Sequence, residues 1–168
     1  MAALGLAEHP LGSRPPAFSH TVVTRNIVYE DLNGARRLFG GRLMEWIDEA
    51  AGICSRRHCG MQVTTASVDT LTFKRPAHLN DIVIIEADVT YVGRTSLEVR
   101  VESFVEDLPT GERALMNKAY LTEVCVDDAG RPTVVPWGLE LTSEEERREW
   151  EDAKKRIVFR KTREGEGF

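Results

Sequence analysis

A continuous helical pattern of apolar and polar residues runs from residue 38 to residue 59. At about 100° per residue, one face of this segment collects the small and apolar side chains Leu43, Ile47, Ala50, Ala51 and Cys54. The opposite face collects the charged side chains Arg42, Glu45, Glu49 and Arg56. The pattern predicts one long amphipathic helix that opens with two glycines and stops at Gly60, where a helix end commonly takes glycine.

The segments around this helix alternate between apolar and polar side chains and are rich in β-branched residues, as strands are. One strand is predicted before the helix, at residues 19–29, and four after it, at residues 63–74, 81–92, 96–106 and 113–126. Short turns separate the later strands, so an antiparallel order is expected. The sequence therefore predicts an α+β fold in which a sheet of about five strands wraps around one central helix. Such a sheet has open edges, which favours dimerisation.

The two ends of the chain differ from this central part. Residues 1–17 are rich in Gly, Pro and Ala without periodicity, and we expect a flexible or wrapping N-terminal arm. Residues 18–137 form the predicted domain. In the last segment, residues 138–168, Ser143 and Glu146 have the spacing of a capping box, and a charged helix is predicted to about Arg156. Its few apolar positions predict a thin contact with a surface or a neighbouring subunit.

Composition narrows the function classes. The chain has 168 residues, enough for one domain with a proper core, and a formal net charge of -5. This charge argues against nucleic-acid binding through a broad basic surface. No segment reaches the roughly 20 apolar residues of a membrane span, so membrane insertion is not expected. The first residues lack the pattern of a signal peptide, and a cytoplasmic location is expected.

Three cysteines, Cys54, Cys59 and Cys125, are expected to be buried, reduced thiols in such a compartment. The proximity of Cys54, His58 and Cys59 leaves a metal site or a Cys/His nucleophile as the alternative. The spacing does not match a zinc motif, and Cys54 lies on the apolar face of the predicted helix.

Asp48 is the residue that does not fit the helical pattern. It lies at the edge of the apolar face, where another apolar side chain would be expected. A carboxylate in a packing face is costly unless it is paired or used. Two interpretations follow: a carboxylate paired with an arginine such as Arg37, or a functional group.

An ordered set of residues in this chain resembles the hot-dog-fold acyl-CoA thioesterases of the cytosolic acyl-CoA hydrolase branch. The resemblance covers residues 24–136. It is carried by Asn33-Gly34, Leu38-Phe39-Gly40-Gly41, Asp48 with Ala50-Ala51, Phe73-Lys74-Arg75-Pro76 with Asp81, Val92-Gly93-Arg94-Thr95-Ser96, and Val126-Asp127 with Gly130-Arg131-Pro132.

The resemblance implies hydrolysis of an acyl-CoA thioester to a free acid and CoA, at a site shared by two subunits of a homodimer. Further assembly into a trimer of dimers is expected. The aspartate that matches Asp48 is implied as general base or nucleophile, and the backbone at Phe39, Gly40 and Gly41 as the holder of the thioester carbonyl. Asp48 lies roughly 10–11 Å from Gly41 along one helix, so Asp48 of the opposite subunit is expected to complete each site.

The resemblance implies roles for further residues, and each of these residues also has an ordinary structural interpretation. Thr65 matches a threonine that helps to position water, or is an ordinary strand residue; Asn33 is a second candidate for orienting water. Residues in two turns are expected to bind the CoA phosphates, or to be solvated: Lys74, Arg75, Gly93, Arg94, Thr95 and Ser96. No metal is expected, and no cofactor apart from the CoA of the substrate.

Arg37 departs from the family pattern, because many relatives have Asn or Asp there and in some branches that residue is catalytic. Arginine cannot act as a base. Either Asp48 works without such a partner, or Arg37 binds an anionic part of the substrate, or activity is poor. The alternative function is therefore a non-hydrolytic acyl-CoA-binding hot-dog protein, a sensor or inactive subunit. A structural oligomer without a ligand is a third hypothesis.

Overall fold

A computed structural model describes residues 9–167 of the chain. Its strands are β1 (Ser13–Arg14), β2 (Thr21–Asn26), β3 (Gln62–Asp69), β4 (Ile82–Val92), β5 (Ser96–Glu106), β6 (Arg113–Val126) and β7 (Gly138–Leu139). Its helices are α1 (Pro16–Ser19), α2 (Gly40–Cys59) and α3 (Glu144–Glu166), with a 3-10 turn at Tyr29–Asp31. Five strands form one antiparallel sheet in the order β2-β4-β5-β6-β3.

Helix α2 packs its apolar face against this sheet. The side chains predicted for that face are 0–1% exposed: Leu43, Ile47, Ala50, Ala51 and Cys54. The helix ends where Gly60 takes a left-handed backbone conformation, with φ of 73°, and its N–H donates to Arg56 O. The predicted central helix, its buried face and its glycine end are confirmed.

The sheet alternates between a face that contacts α2 and an outer face. Inward positions on β4 and β5 are apolar and buried, among them Val83, Ile85, Ala87, Val99 and Val101. The register of the strand pairs shifts at three places, in β3–β6, β4–β5 and β5–β6. Such bulges bend a strand and increase its twist, which suits a sheet that curves around a helix.

Strand β3 is shorter than predicted. It ends at Asp69 and not at residue 74, because Thr70 takes a φ of 49° and the chain leaves the sheet. The released segment returns to the sheet at Lys74, whose N–H donates to Met116 O. The first strand of the large sheet is also shorter, since the predicted segment 19–29 pairs only over Thr21–Asn26.

The predicted N-terminal arm, residues 1–17, is only partly described, since residues 1–8 lie outside the described residues. Residues 9–17 wrap against the segment after β6, and β1 pairs in parallel with β7. Arg14 holds this arm to α2: its guanidinium donates to His58 O at 2.8 Å and lies 3.9 Å from the ring centre of Trp137. The arm therefore covers the C-terminal end of α2.

Helix α3 begins with the predicted capping box of Ser143 and Glu146, but it continues to Glu166, about ten residues beyond the predicted end. It lies on the outer face of the sheet, where Ala153 is fully buried and the Trp150 ring lies 5.8 Å from the Tyr91 ring. Ion pairs add to this apolar contact: Arg156 reaches Glu98 at 2.7 Å, and Arg160 reaches Asp69 at 2.7 Å. The thin apolar stripe and the arginines together hold α3 on the sheet.

The two edges of the sheet are β2 and β3. Strand β3 is largely uncovered: Thr64, Thr65, Ala66 and Val68 are exposed. Its outer backbone N–H and C=O groups are therefore open to a further strand. Among residues 9–167, no helix has both the length and the apolarity to cross a membrane.

His58 is buried at the C-terminal end of α2 and makes structural contacts. Its Nε2 lies 3.1 Å from Gly138 O, and its Nδ1 lies 3.2 Å from Ser19 Oγ. Burial lowers the pKa of His58 to about 4, and burial raises the pKa of Cys54 to about 12. The neutral imidazole donates from Nε2 and accepts at Nδ1. The two pKa values favour structural roles for His58 and Cys54.

We expect His58→Leu to lower the free energy of unfolding by about 2–4 kcal/mol near neutral pH, because Gly138 O and Ser19 Oγ would lose a buried partner. Urea unfolding of both proteins measures the change. His20→Gln is the matched control: the imidazole of His20 is partly exposed and contacts Asp88, so its loss should cost less than about 1 kcal/mol. Equal losses in the two variants would contradict the structural role of His58.

Candidate functional site

Asp48, Thr65 and Glu123 form a hydrogen-bonded chain between α2 and the sheet. Thr65 Oγ1 lies 2.6 Å from Asp48 Oδ1 and 3.1 Å from Glu123 Oε1. Thr65 and Glu123 face each other because they are paired in the β3–β6 register. The threonine hydroxyl thus connects an exposed carboxylate to a buried carboxyl group.

The position of Asp48 follows from the packing of α2. The helix buries its apolar face in the curve of the sheet, and Asp48 lies on the flank directed toward β3. Because β3 is an edge strand, Asp48 and Thr65 stay exposed in the single subunit. In the described part of the chain Asp48 forms no ion pair, and Arg37 is not its partner. The carboxylate is held by the Thr65 hydroxyl.

Glu123 is a site residue that sequence analysis missed. Its side chain is 1% exposed, on the inward face of β6 that also carries Ala119, Leu121 and Cys125. Burial raises the pKa of Glu123 to about 7; the Asp48 charge also raises it, and the Thr65 hydrogen bond opposes both. The signal was present, because Glu123 interrupts an alternation of apolar residues on a predicted strand.

The N-terminus of α2 forms a second part of the site. Phe39 precedes the helix, and the first N–H groups of a helix have no partner within it. A Cβ on Gly40 would lie 3.2 Å from the Phe73 ring, and a Cβ on Gly41 would lie 2.5 Å from the Phe39 ring. Glycine therefore lets two aromatic rings approach this backbone. The unpaired N–H groups at the start of α2 are therefore surrounded by apolar side chains.

A cleft of about 350 Å³ opens at this helix end. Asn33 lines it, and its side-chain oxygen accepts from the N–H groups of Ala35 and Arg37, so it shapes the loop before α2. Arg37, Lys74 and Arg75 also line the cleft. None of these three cations forms an ion pair with another residue in the range 9–167. The cleft is therefore suited to an anion.

The turn at Gly93, Arg94, Thr95 and Ser96 lies far from this cleft. It joins β4 to β5, and Ser96 is paired with Val124 near the end of β6, whereas Lys74 contacts Met116. Eight residues of an extended strand separate Met116 from Val124, roughly 26 Å. One subunit thus does not bring the two predicted phosphate-binding turns together.

Asp48 and Gly41 are also separated within the subunit. Both lie on the unbroken helix α2, seven residues apart, which corresponds to about 10.5 Å along the axis. A single thioester carbonyl cannot contact both groups at hydrogen-bond distance. In residues 9–167, no group of three or more His, Cys, Asp or Glu side chains could hold a metal ion.

Comparison with known proteins connects this geometry to a family. A family model described as "Thioesterase superfamily" matches residues 36–112. The chain is 42% identical over 127 residues to the "Uncharacterized acyl-CoA thioester hydrolase YkhA" of Bacillus subtilis (strain 168). That match covers 76% of this chain and 74% of the relative.

Solved structures are similar over nearly the whole chain. An apo-hexameric acyl-CoA thioesterase is 40% identical, with a TM-score of 0.86 over 90% of this chain and 97% of that one. The acyl-CoA hydrolase from Staphylococcus aureus, in complex with butyryl-CoA, CoA and CoA disulfide, is 35% identical, with a TM-score of 0.86 over 92% and 94% of the two chains. The predicted hot-dog fold is confirmed.

We expect Glu123→Gln to change how stability depends on pH. A carboxyl group whose pKa is raised on folding stabilises the protein below its unfolded pKa of about 4.5, and this contribution is lost as pH rises to about 7. The neutral amide has no such loss. At about pH 8.5 the variant should be more stable than the wild type by about 2–3 kcal/mol, and at about pH 5 nearly equal.

Urea unfolding at the two pH values, at one protein concentration, measures both differences. If the free energies of unfolding of the variant and the wild type differ by the same amount at both pH values, Glu123 does not titrate between them. Another interaction then offsets the cost of burying its carboxyl group.

Proposed function

We propose that this chain, which belongs to the thioesterase superfamily, hydrolyses acyl-CoA thioesters to a free acid and CoA. The observation that carries the proposal is the Asp48–Thr65 hydrogen bond of 2.6 Å beside the uncovered edge of the sheet. There an exposed carboxylate is oriented by a hydroxyl and is free of any cation in the described residues. Relatives with a similar sequence carry the name acyl-CoA thioester hydrolase.

Two chemical routes fit an oriented carboxylate. As a general base, Asp48 takes a proton from water while the water oxygen bonds to the thioester carbon. As a nucleophile, the Asp48 oxygen bonds to that carbon itself, and water later hydrolyses the mixed anhydride. In either route the C–S bond breaks, the electron pair leaves with the CoA sulfur, and a proton neutralises the thiolate. Thr65 holds the carboxylate in one orientation.

The N-terminus of α2 is assigned to the thioester oxygen. The N–H groups at Gly40 and Gly41 and the positive end of the helix dipole would stabilise the negative charge that develops on this oxygen. Because Asp48 is about 10.5 Å along the same helix, we assign the two parts of each site to different subunits of a homodimer. The open edge of β3, next to Thr65, is the surface proposed for pairing with the second subunit.

Structures of the S. aureus acyl-CoA hydrolase support the choice of residues. That enzyme has been solved with an asparagine, an aspartate or a threonine replaced by alanine. The intervals between its three replaced positions equal those between Asn33, Asp48 and Thr65 in this chain. We therefore propose Asn33 as a third polar group of the site, with its side-chain oxygen held by the loop and its amide nitrogen directed to the substrate.

We propose that CoA binds across the subunit interface. Lys74 and Arg75 lie in the cleft beside Gly40, whereas the turn of Gly93 to Ser96 lies at the opposite end of the same subunit. In a two-fold dimer, the turn of one subunit can serve the cleft of the other. Arg37 would then act as an additional cation of the cleft and not as a base.

The assembly is proposed to be a homodimer, with three dimers in a hexamer. The similar apo-hexameric acyl-CoA thioesterase supports the higher order. A cytoplasmic location is proposed from the three free cysteines, which suit a reducing compartment. The side chains that line the subunit interface decide which acyl length fits, and an assay with acyl-CoAs of different lengths identifies it.

We expect Asp48→Asn to reduce kcat for acyl-CoA hydrolysis at least about 100-fold, because the amide can neither accept the proton nor attack the carbonyl. The affinity for CoA should change little, since Asp48 is not assigned to CoA. Release of CoA from a panel of short to long acyl-CoAs, detected with a thiol-reactive dye, measures kcat. Calorimetric titration with CoA measures the affinity. Glu49→Gln is the control, because Glu49 is exposed on α2 and paired with Arg25.

The outcomes separate the function classes. Equal turnover in Asp48→Asn and wild type would remove Asp48 from the mechanism. Absence of turnover in the wild type, together with measurable binding of CoA, would favour the alternative: a non-hydrolytic acyl-CoA-binding protein.

The shared site predicts complementation between two inactive variants. Gly40→Asp places a carboxylate at the proposed oxyanion position, where it repels the developing charge but suits a helix N-terminus. Co-expressed with Asp48→Asn, it forms mixed dimers with one unaltered site and one doubly altered site. The mixture should recover about a quarter of the wild-type activity by random pairing. Activity no higher than that of either variant alone would show that each site is built from one subunit.

A further inference from the structure

Glu123 is a buried carboxyl group that the hydrolytic steps proposed above do not use. Its Oε2 atom is buried and has no hydrogen-bond partner within residues 9–167. Glu98, the other fully buried glutamate, has an opposite environment: it lies on the outer face of the sheet and is paired with Arg156 at 2.7 Å. A buried carboxylate without a cation is costly, so Glu123 favours its neutral form.

The Thr65 hydroxyl has a single hydrogen but two carboxyl neighbours. Its oxygen lies 2.6 Å from Asp48 and 3.1 Å from Glu123, so the shorter contact is the one that Thr65 donates. The longer contact then requires that Glu123 donate its own hydrogen to the threonine oxygen. The three groups form a directed chain from Glu123 through Thr65 to Asp48.

We infer that Glu123, in its protonated form, is a positioning residue for the reaction: it donates to Thr65 Oγ1 and so commits the Thr65 hydrogen to Asp48. This role rests on the proposed hydrolytic function of Asp48. Glu123 does not contact the substrate or exchange a proton with it. It keeps the carboxylate that does so in one orientation.

The surroundings of Glu123 decide when this chain is in place. The titratable groups that face it are Asp48 from α2 and the thiol of Cys125 from its own strand. Strands β3 and β5 place Thr65 and Leu97 opposite it. With a pKa of about 7, Glu123 is protonated in mildly acidic solution and ionised in alkaline solution. Once ionised, it competes for the Thr65 hydrogen and repels Asp48.

The first test compares Glu123→Gln with the wild type over the pH range that spans this transition. The side-chain amide donates to Thr65 at every pH, as the protonated acid does only at low pH. The ratio of kcat for the variant to kcat for the wild type should rise from about one at pH 6 to about ten at pH 8.5. A ratio cancels every pH effect that the two proteins share. Release of CoA, detected with dithiodipyridine, gives both rates.

Glu98→Gln is the matched control, since it removes a buried glutamate from the outer face of the same sheet, remote from Asp48. Its ratio to the wild type should not vary with pH. A flat ratio for Glu123→Gln, or a ratio that falls as pH rises, would overturn the proposal. The second of these results would mean that Glu123 acts as a carboxylate.

The second test is independent of catalysis. Infrared difference spectra between acidic and alkaline solutions contain the band of a protonated carboxyl group, assigned to Glu123 by its absence in Glu123→Gln. Removing the Asp48 charge with Asp48→Asn should lower the pKa of Glu123. Unchanged titration of Glu123 in this variant would overturn the coupling.

The two tests distinguish failure of this inference from failure of the proposed function. If the wild type hydrolyses no acyl-CoA but the infrared shift occurs in the expected direction, the coupled chain exists and hydrolysis is what fails. If hydrolysis depends on Asp48 but neither the ratio nor the infrared titration responds, the function stands and the role of Glu123 is wrong.

Discussion

The burial of one face of α2 in the curve of a five-stranded sheet is the constraint on which the rest of the structure depends. The face is narrow and built partly from small residues, with Ala50, Ala51 and Cys54 fully buried. Small side chains let the strands approach the helix closely, and bulges in the strand pairs supply the curvature. Every other feature is placed by what this packing covers and what it leaves open.

What it leaves open is the flank that carries Asp48 and the edge of β3. A single curved sheet cannot enclose the whole circumference of a helix, so one flank has to be covered by other means. The site lies at this margin, where a carboxylate can be exposed to substrate while its neighbours Thr65 and Glu123 are anchored in the sheet. A second subunit on this edge would exclude water from the pair, which strengthens electrostatic interactions there.

The outer face of the sheet solves a different problem, because its polar side chains are buried beneath α3. Glu98 and Asp69 are paired with arginine side chains of that helix. Glu123, on the inner face, has no such partner in the described chain and retains its proton instead up to a pKa of about 7. Two buried glutamates of one sheet thus differ in their partners because of what packs over them.

The sequence by itself determined the central helix, its buried face, the presence of five strands and the identity of Asp48 as an exception. These features depend on periodicity and turn residues, which are local properties of the chain. The sequence did not determine the order of the sheet, because β3 pairs with β6 and not with β4, the next strand along the chain. It set the end of α3 too early and the end of β3 too late. Both ends depend on contacts with distant elements, such as Arg160 with Asp69 and Lys74 with Met116.

Only the tertiary structure decided that Glu123 contacts Thr65 and that the two predicted phosphate-binding turns are apart. Glu123 meets Thr65 through the register of β3 on β6, and a register joins residues 58 positions apart in the chain. A shift of one residue would turn Glu123 to the opposite face of the sheet. The separation of Lys74 from Ser96 follows from the length of β6 between them. Both follow from how distant segments pair with β6, and no local pattern of side chains contains that information.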